Sequence, residues 1–372
     1  MHQNTTLHVI EPTLTGLAGH CNSFLASVLD AVGETPMQLW LGRGAEFQAP
    51  GPQARVVPYF SRSLRRFQAF FLYRRLLRQP GRIFLSTATR TDLSLIDLAA
   101  RGTIESGRIF LYFHWFRPTP KKLAFLRKYA IRQPNLVILG PTESAVEAFR
   151  QAGFPDVRVV PYPITPREQS DNDTPFRHLL FAGIARQDKG IGKVVDLVAH
   201  LARQGSDLPL LIQASADHRQ RFDDKTAQDI QRLEGIRYPN LKLIEAALPQ
   251  DDYLAQFEGG ICLQPYDAAD FADRISGISL DGLSSGAPLV VPAGTWMARV
   301  VERFGAGVAL EDMSAPAMET AIRTILADWP SFRDRARLAG KTLQAEFSAG
   351  QLAETLTKPY SRPDPRRAIS AK

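Results

Sequence analysis

Two α/β domains, each built on a parallel sheet, follow from three features of the 372-residue sequence. The length suits two or three domains of ordinary size. Short β-branched or apolar runs alternate with helical patterns, as βαβ units require. A polar, proline-marked linker divides the chain near its middle. Hydrophobic residues at 44% and charged residues at 22% are ordinary globular usage and exclude disordered or fibrous architectures. No apolar run reaches the roughly 18 residues that span a bilayer. The N-terminus, MHQNTTLHVIEP, has neither a basic n-region nor an apolar h-region, so a cytoplasmic protein is expected. Cys21 and Cys262 lie far apart and form neither a disulfide framework nor a zinc spacing, in keeping with a reducing cytosol.

In chain order, strands are expected near residues 7–10, 37–41, 55–58, 83–86, 109–114, 137–140 and 157–160. After the linker they recur near 178–183, 210–214, 241–245, 260–263, 289–291 and 308–310. Between them, residues 23–32, 144–152, 191–203 and 298–304 read as helices, the last with Val300, Val301 and Phe304 at helical spacing. Pro161, Pro163 and Pro166 crowd together ahead of the polar run REQSDNDT. That places a first domain at 1–165, a second at 166–350, and a tail at 351–372 able to pack back on the first. No repeat of 20–50 residues argues for a solenoid or propeller. Two such domains place a ligand in the cleft between them, beyond the carboxyl ends of the strands.

Three segments could carry chemistry. TGLAGH at 15–20 sets Gly16 and Gly19 between a strand and a helix, where backbone can approach a ligand and helix N–H groups can meet an anion. Its spacing is not the dinucleotide fingerprint, and a tight strand-to-helix turn is the plain alternative. FAGIARQDKG at 181–190 projects Arg186 and Lys189 from a turn ahead of a helix. There two cations could neutralise a diphosphate, or simply be solvated charges. In PYDAADFADRISGISLDGLSSGAPLVVP, Asp273 and Asp281 are expected near one face of one helix. They could hold a sugar hydroxyl and a ribose, with the amides around Ser276, Gly277 and Ser279 meeting phosphate. Alternatively Asp273 is an N-cap and Asp281 a surface charge.

The order of these parts resembles the retaining GT-B glycosyltransferases, whose donors are nucleotide-diphospho-sugars. The glycine turn is matched by Gly16 and Gly19. The strand–G-R-x-x-x-x-K-G opening of the second domain is matched in frame by Gly183, Lys189 and Gly190. The E-x7-E and G-x-P-V segments are matched by Asp273, Asp281, Gly286 and Pro288. The linker VVPYPI is similar to the family's V-I-P-N-P-I. The likeness spans most of the chain, strongly in the second half and loosely in the first. It implies two Rossmann-like doubly wound domains facing a central cleft. Three departures stand out. Both acids are Asp rather than Glu, Ile184 occupies the family's arginine position with Arg186 two residues on, and Arg274-Ile275-Ser276-Gly277 replaces x-F-G-L. The family often places a histidine at the end of an N-domain strand near the transferring sugar. His114, expected to end the strand at 109–114, is the candidate, a structural half-buried histidine being the alternative.

Charge is lopsided. Residues 1–165 hold 20 Lys and Arg against 10 Asp and Glu, the remainder 25 against 28. The first half therefore seeks an anionic partner. Phe60, Leu64, Phe67 and Phe71 fall at helical spacing as one apolar stripe, with Arg62, Arg65 and Arg66 on the other side. A basic amphipathic helix suits an anionic membrane surface; the competing reading packs the stripe on the sheet. No nucleic-acid motif accompanies the charge.

The sequence is thus expected to encode a retaining, metal-independent glycosyltransferase at the inner face of a membrane. It would serve polysaccharide biosynthesis, use a nucleotide-diphospho-sugar donor and a lipid-linked or cell-surface glycan acceptor, and need no cofactor. Lys189 and Arg186 take the diphosphate, Asp281 the ribose, Asp273 the donor sugar, and His114 stands at the transfer site. With no evident nucleophile, a front-face mechanism is expected. A catalytically silent scaffold and a sugar-nucleotide epimerase are the alternatives.

Overall fold

The computed structural model describes residues 6–14, 20–49, 51–164, 173–215, 222–246 and 248–362. The chain divides into two compact units, Met1–Thr165 with Phe347–Lys372, and Pro166–Glu346. The second closes at Glu346, a few residues before the boundary drawn from the sequence.

Among the described residues, seven strands build the first unit: β1 (Leu7–Glu11), β2 (Met37–Gly42), β3 (Ala54–Phe60), β4 (Arg82–Leu85), β5 (Ile109–Tyr112), β6 (Val137–Gly140) and β7 (Asp156–Val159). Six build the second: β8 (His178–Phe181), β9 (Leu210–Gln213), β10 (Leu241–Ile244), β11 (Gly260–Leu263), β12 (Leu289–Pro292) and β13 (Gly307–Leu310). The sheet orders are β3-β2-β1-β4-β5-β6-β7 and β10-β9-β8-β11-β12-β13, and the pairings are parallel. Both are the doubly wound order, so a switch point falls between β1 and β4 in one unit and between β8 and β11 in the other.

The inner strands β5 (IFLY), β6 (VILG), β9 (LLIQ) and β11 (GICL) are buried along their whole length. That is why they read as continuous apolar runs, since helices cover both faces of a parallel sheet. The edge strand β3 is buried at its ends, Ala54 and Phe60, open to solvent between them, and tolerates Pro58. Side-chain oxygens of Thr119, Thr142, Asp223 and Thr295 cap the helices that follow them. The helix Gly350–Thr357 inserts Leu352 and Leu356 into the first unit's core beside Phe24 and Leu29 of the helix His20–Val32.

Candidate functional site

In the second unit the switch point gathers cations. The chain leaves β8 through Gly183, whose φ of 95° suits glycine. A Cβ there would lie 2.8 Å from Ile278 Cδ1 and 3.3 Å from Lys189 Nζ, so the ammonium rests almost against backbone. The Gly183 N–H donates to Gln213 Oε1 at 2.9 Å, and Ile184 bridges to Ser215 of the neighbouring strand end. Gly190, also left-handed at φ 75°, comes so near β11's exit that a Cβ would sit 2.0 Å from Pro265 O. The Asp267 N–H donates to Asp188 O at 2.9 Å. These contacts clamp the loop carrying Arg186 and Lys189 onto the loop carrying Tyr266 and Arg274.

Lys189 is half-buried, its Nζ 5.9 Å from the Tyr266 ring centre. Loss of water around the ammonium, helped by Arg186 and Arg274 and opposed by Asp188, holds its pKa down at about 7. Arg186 Nη2 donates to Asp188 Oδ2 at 2.6 Å, and Arg274 Nη1 stands 3.8 Å from the same oxygen. The Arg274 guanidinium lies 4.7 Å from the Phe271 ring centre. Burial and Arg186 lower the Arg274 pKa. Asp281, half-buried, accepts from Tyr253 OH at 3.3 Å. The buried Cys262 thiol is pushed up by burial and Asp281 and drawn down by Lys189.

Buried donors here are orphaned. Gln264 is fully buried; its Oε1 accepts from Ser279 Oγ at 2.7 Å, but its Nε2 has no hydrogen-bond partner among the described residues, nor does Arg186 Nε. A buried donor left without a partner costs about 1–3 kcal/mol, which an anionic or hydroxylated ligand would recover.

Several expectations need correction. Residues 268–284 form two helices, Ala268–Phe271 and Gly277–Ser284, so Asp273 lies in the connecting loop and shares no helix face with Asp281. The N-cap is Ser276, not Asp273: Ser276 Oγ accepts the Ser279 N–H at 3.3 Å. Asp273 is exposed and pairs with Arg299 at 2.6 Å. Ser276 and Ser279 are buried, engaged by the cap and by Gln264, which leaves Gly277 and Ile278 as the N–H groups that helix geometry turns outward.

In the first unit, β5 ends at Tyr112, so His114 sits just past the strand rather than closing it. Its ring lies against Phe24, Tyr112 and Tyr162, and its Nε2 is 2.8 Å from Ser86 O and 3.5 Å from Thr87 Oγ1. The carbonyl fixes the tautomer with the proton on Nε2. Glu11, 1% exposed at the end of β1, accepts from Ser86 Oγ at 2.7 Å, from Thr87 Oγ1 and from the Thr13 N–H at 3.0 Å. Gly16 and Gly19 lie outside the described residues.

Sequence reasoning missed Glu11, Gln213, Gln264 and the charge on Arg274. A signal existed: HVIE, LLIQ and ICLQ are apolar runs that close on a polar residue at the carboxyl end. That end borders the ligand crevice of an open α/β sheet.

The basic helix spans Arg65–Leu76 and buries Ala69, Leu72, Tyr73 and Leu76. Phe60 belongs to β3 and is buried, so it leaves the expected stripe, while Leu64, Phe67 and Phe71 are 54%, 70% and 60% exposed. The apolar stripe therefore faces solvent, contrary to the core-packed reading. Arg62, Arg65 and Arg66 are exposed, and helical spacing puts Arg74 on the same side as Phe67 and Phe71 rather than opposite them. No described helix is long and apolar enough to cross a membrane.

No family model matches the chain, and no curated protein matches it in sequence. Solved structures do match. The trehalose-6-phosphate synthase OtsA aligns with TM-score 0.69 and 13% identity over 96% of this chain and 100% of its own. WaaG, a glycosyltransferase involved in lipopolysaccharide biosynthesis, gives 0.66 and 14% over 95% and 100%. Anabaena HepE in complex with UDP-glucose gives 0.66 and 14% over 95% and 100%. With its two parallel doubly wound sheets, the chain has the GT-B fold of these proteins.

Proposed function

We propose that the chain is a retaining, metal-independent glycosyltransferase that moves a sugar from a nucleotide-diphospho-sugar to a lipid-linked or cell-surface glycan acceptor. What carries the reading is the switch point of the second sheet. There Lys189, Arg186 and the outward N–H groups of Gly277 and Ile278 stand beside orphaned buried donors. Developing negative charge on a leaving diphosphate would be met by cations and N–H dipoles already in place. Asp281 would hold the ribose, Asp273 the donor sugar, and Gly16 and Gly19 would meet the donor. His114 would stand at the transfer site. HepE was solved with UDP-glucose, which makes a uridine nucleotide the first donor to test. In a front-face displacement the acceptor hydroxyl oxygen bonds to the anomeric carbon as the C–O bond to phosphate breaks on the same side. The leaving phosphate oxygen takes the hydroxyl proton.

The solvent-facing Leu64, Phe67 and Phe71 among arginines support an anionic bilayer as partner, and we place the reaction at its cytoplasmic face, in polysaccharide biosynthesis, as part of the same proposal. Each arginine near such a surface adds about 1 kcal/mol.

Nucleotide release across a panel of UDP- and GDP-sugars, with and without lipid-linked acceptor, tests the reaction. Acceptor-dependent release is expected, falling about 100-fold or more in Lys189→Ala. Release without acceptor would favour the epimerase, and binding of neither UDP nor GDP the silent scaffold.

A further inference from the structure

We propose that a cavity in the first unit, at the amino ends of β4 and β5, binds the phosphate monoester of a lipid headgroup, with Arg78 and Arg101 as its anion-binding residues. The inference rests on the bilayer reading above and deepens it; it is independent of the donor chemistry. The cavity measures about 570 Å³, within the span of small-molecule sites. One wall is the end of the helix Arg65–Leu76 with the turn that follows it. The other is the end of the helix Arg90–Ala99 with the loop leading into β5. Both segments enter the sheet at the start of a strand, so the cavity lies at the end of the sheet opposite the carboxyl ends, where the ligand crevice is expected.

Its charge is one-sided. Arg74, Arg78, Arg101 and Arg108 line it, and Glu105 is the one acid among the described residues of the wall. Arg108 is committed to the fold. Its Nη2 donates to Leu76 O at 2.8 Å and to Gln79 O, which covers the negative end of the helix Arg65–Leu76, and Glu105 acts on it electrostatically. Arg78 and Arg101 differ: both are exposed, and neither side chain has a hydrogen bond or ion pair among the described residues. Like charges gathered around one cavity repel, and an anion between them relieves the repulsion. A phosphate monoester offers about two negative charges and three acceptor oxygens, which guanidinium forks take in pairs. The wall is also set in advance. Gln133, 3% exposed, accepts the Ile104 N–H and donates to Gly102 O, both at 3.1 Å, and Asn135 Nδ2 donates to Ile104 O at 2.8 Å. Binding therefore need not order the loop that carries Arg101. The rim decides for a lipid. Arg74 follows Phe67 and Phe71 at helical spacing, and Leu98, 65% exposed, immediately precedes the wall residue Ala99. A soluble phosphate makes no use of an apolar rim, whereas a headgroup brings the acyl boundary that such side chains enter.

Flotation of the full chain with phosphatidylcholine vesicles carrying phosphatidic acid, or phosphatidylserine at matched surface charge, tests this. The first headgroup is a phosphate monoester and the second is not. The wild type should bind the phosphatidic acid vesicles about 10- to 100-fold more tightly. Arg78→Gln with Arg101→Gln should erase that preference. Arg127→Gln with Lys128→Gln removes as much charge from the exposed side of the helix Pro120–Arg132, and should weaken both kinds of vesicle alike and keep the preference. Both pairs are exposed, so neither should shift the melting temperature appreciably. No preference in the wild type, or one that survives Arg78→Gln with Arg101→Gln, would overturn the pocket and leave the bilayer reading standing. Flotation on neither lipid would overturn both. Glycerol 3-phosphate should compete only weakly; if it binds the wild type as tightly as the vesicles do, through the same arginines, the ligand is a soluble phosphate and the lipid assignment falls.

Discussion

Lys189 holds its charge where charge is hard to hold. Desolvation brings its pKa to about 7 from an ordinary 10.5, with Arg186 and Arg274 adding to the fall, Asp188 opposing it, and the Cys262 thiol and Tyr266 ring close by. Between pH 7 and 10.5 the unfolded chain binds a proton that the folded chain does not, so this group's contribution to stability rises with pH across that window. Below pH 7 its burden is fully present. Lys189→Met should therefore raise the melting temperature most below pH 7, with the gain fading towards pH 10, while nucleotide binding is lost. A bound diphosphate favours the ammonium and raises its pKa. Above pH 7, UDP binding should then take up a proton and weaken as pH rises. Titrations in two buffers of different ionisation enthalpy would show the uptake, and equal heats in both would refute it.

At the scale of an element, the helix Arg65–Leu76 has two apolar faces, and only one can reach the sheet. Leu72, Tyr73 and Leu76 take it, held at the start by Gln68, whose Nε2 donates to Tyr59 O at 2.9 Å and whose Oε1 accepts the Ser61 N–H at 2.8 Å. Phe67→Ser with Phe71→Ser should change stability by no more than about 0.5 kcal/mol, as exposed positions do. The same pair should abolish co-flotation with phosphatidylserine vesicles. Leu72→Ala, by contrast, should cost about 2–5 kcal/mol in denaturant unfolding and leave flotation intact in the folded fraction. The helix Arg65–Leu76 was legible as basic and amphipathic, but its orientation was not. Phe60, Leu64, Phe67 and Phe71 make as good a stripe on paper as Leu72, Tyr73 and Leu76. What separated them was that Phe60 belongs to the end of β3.

For the whole molecule, the chain returns to its first unit at Phe347, so that unit is completed only by the last described helix. Leu356 is 1% exposed, and Arg82 Nη1 donates to its carbonyl at 2.6 Å. Leu356→Ala should destabilise the first unit by about 2–5 kcal/mol. Native-state hydrogen exchange should then show faster exchange at β1, β2 and β4 and unchanged protection at β8 and β11. Equal acceleration in both sheets would mean that the units unfold as one.

The alternation of apolar runs with helical patterns was enough to read both parallel sheets, because strands buried on two faces leave an unbroken signature in one dimension. The cations at Arg186 and Lys189 were legible for a related reason, as they follow directly on a strand end. What only the tertiary structure decided is what meets across distance. Arg274 joins Asp188 because β11 lies next to β8, Asp273 turns to Arg299 because the helix starts three residues later than its pattern suggested, and Glu11 gathers hydroxyls from the end of β4. Periodicity records the environment of each residue along its own element. Partners brought together by sheet order lie tens of residues apart, where no local pattern reaches.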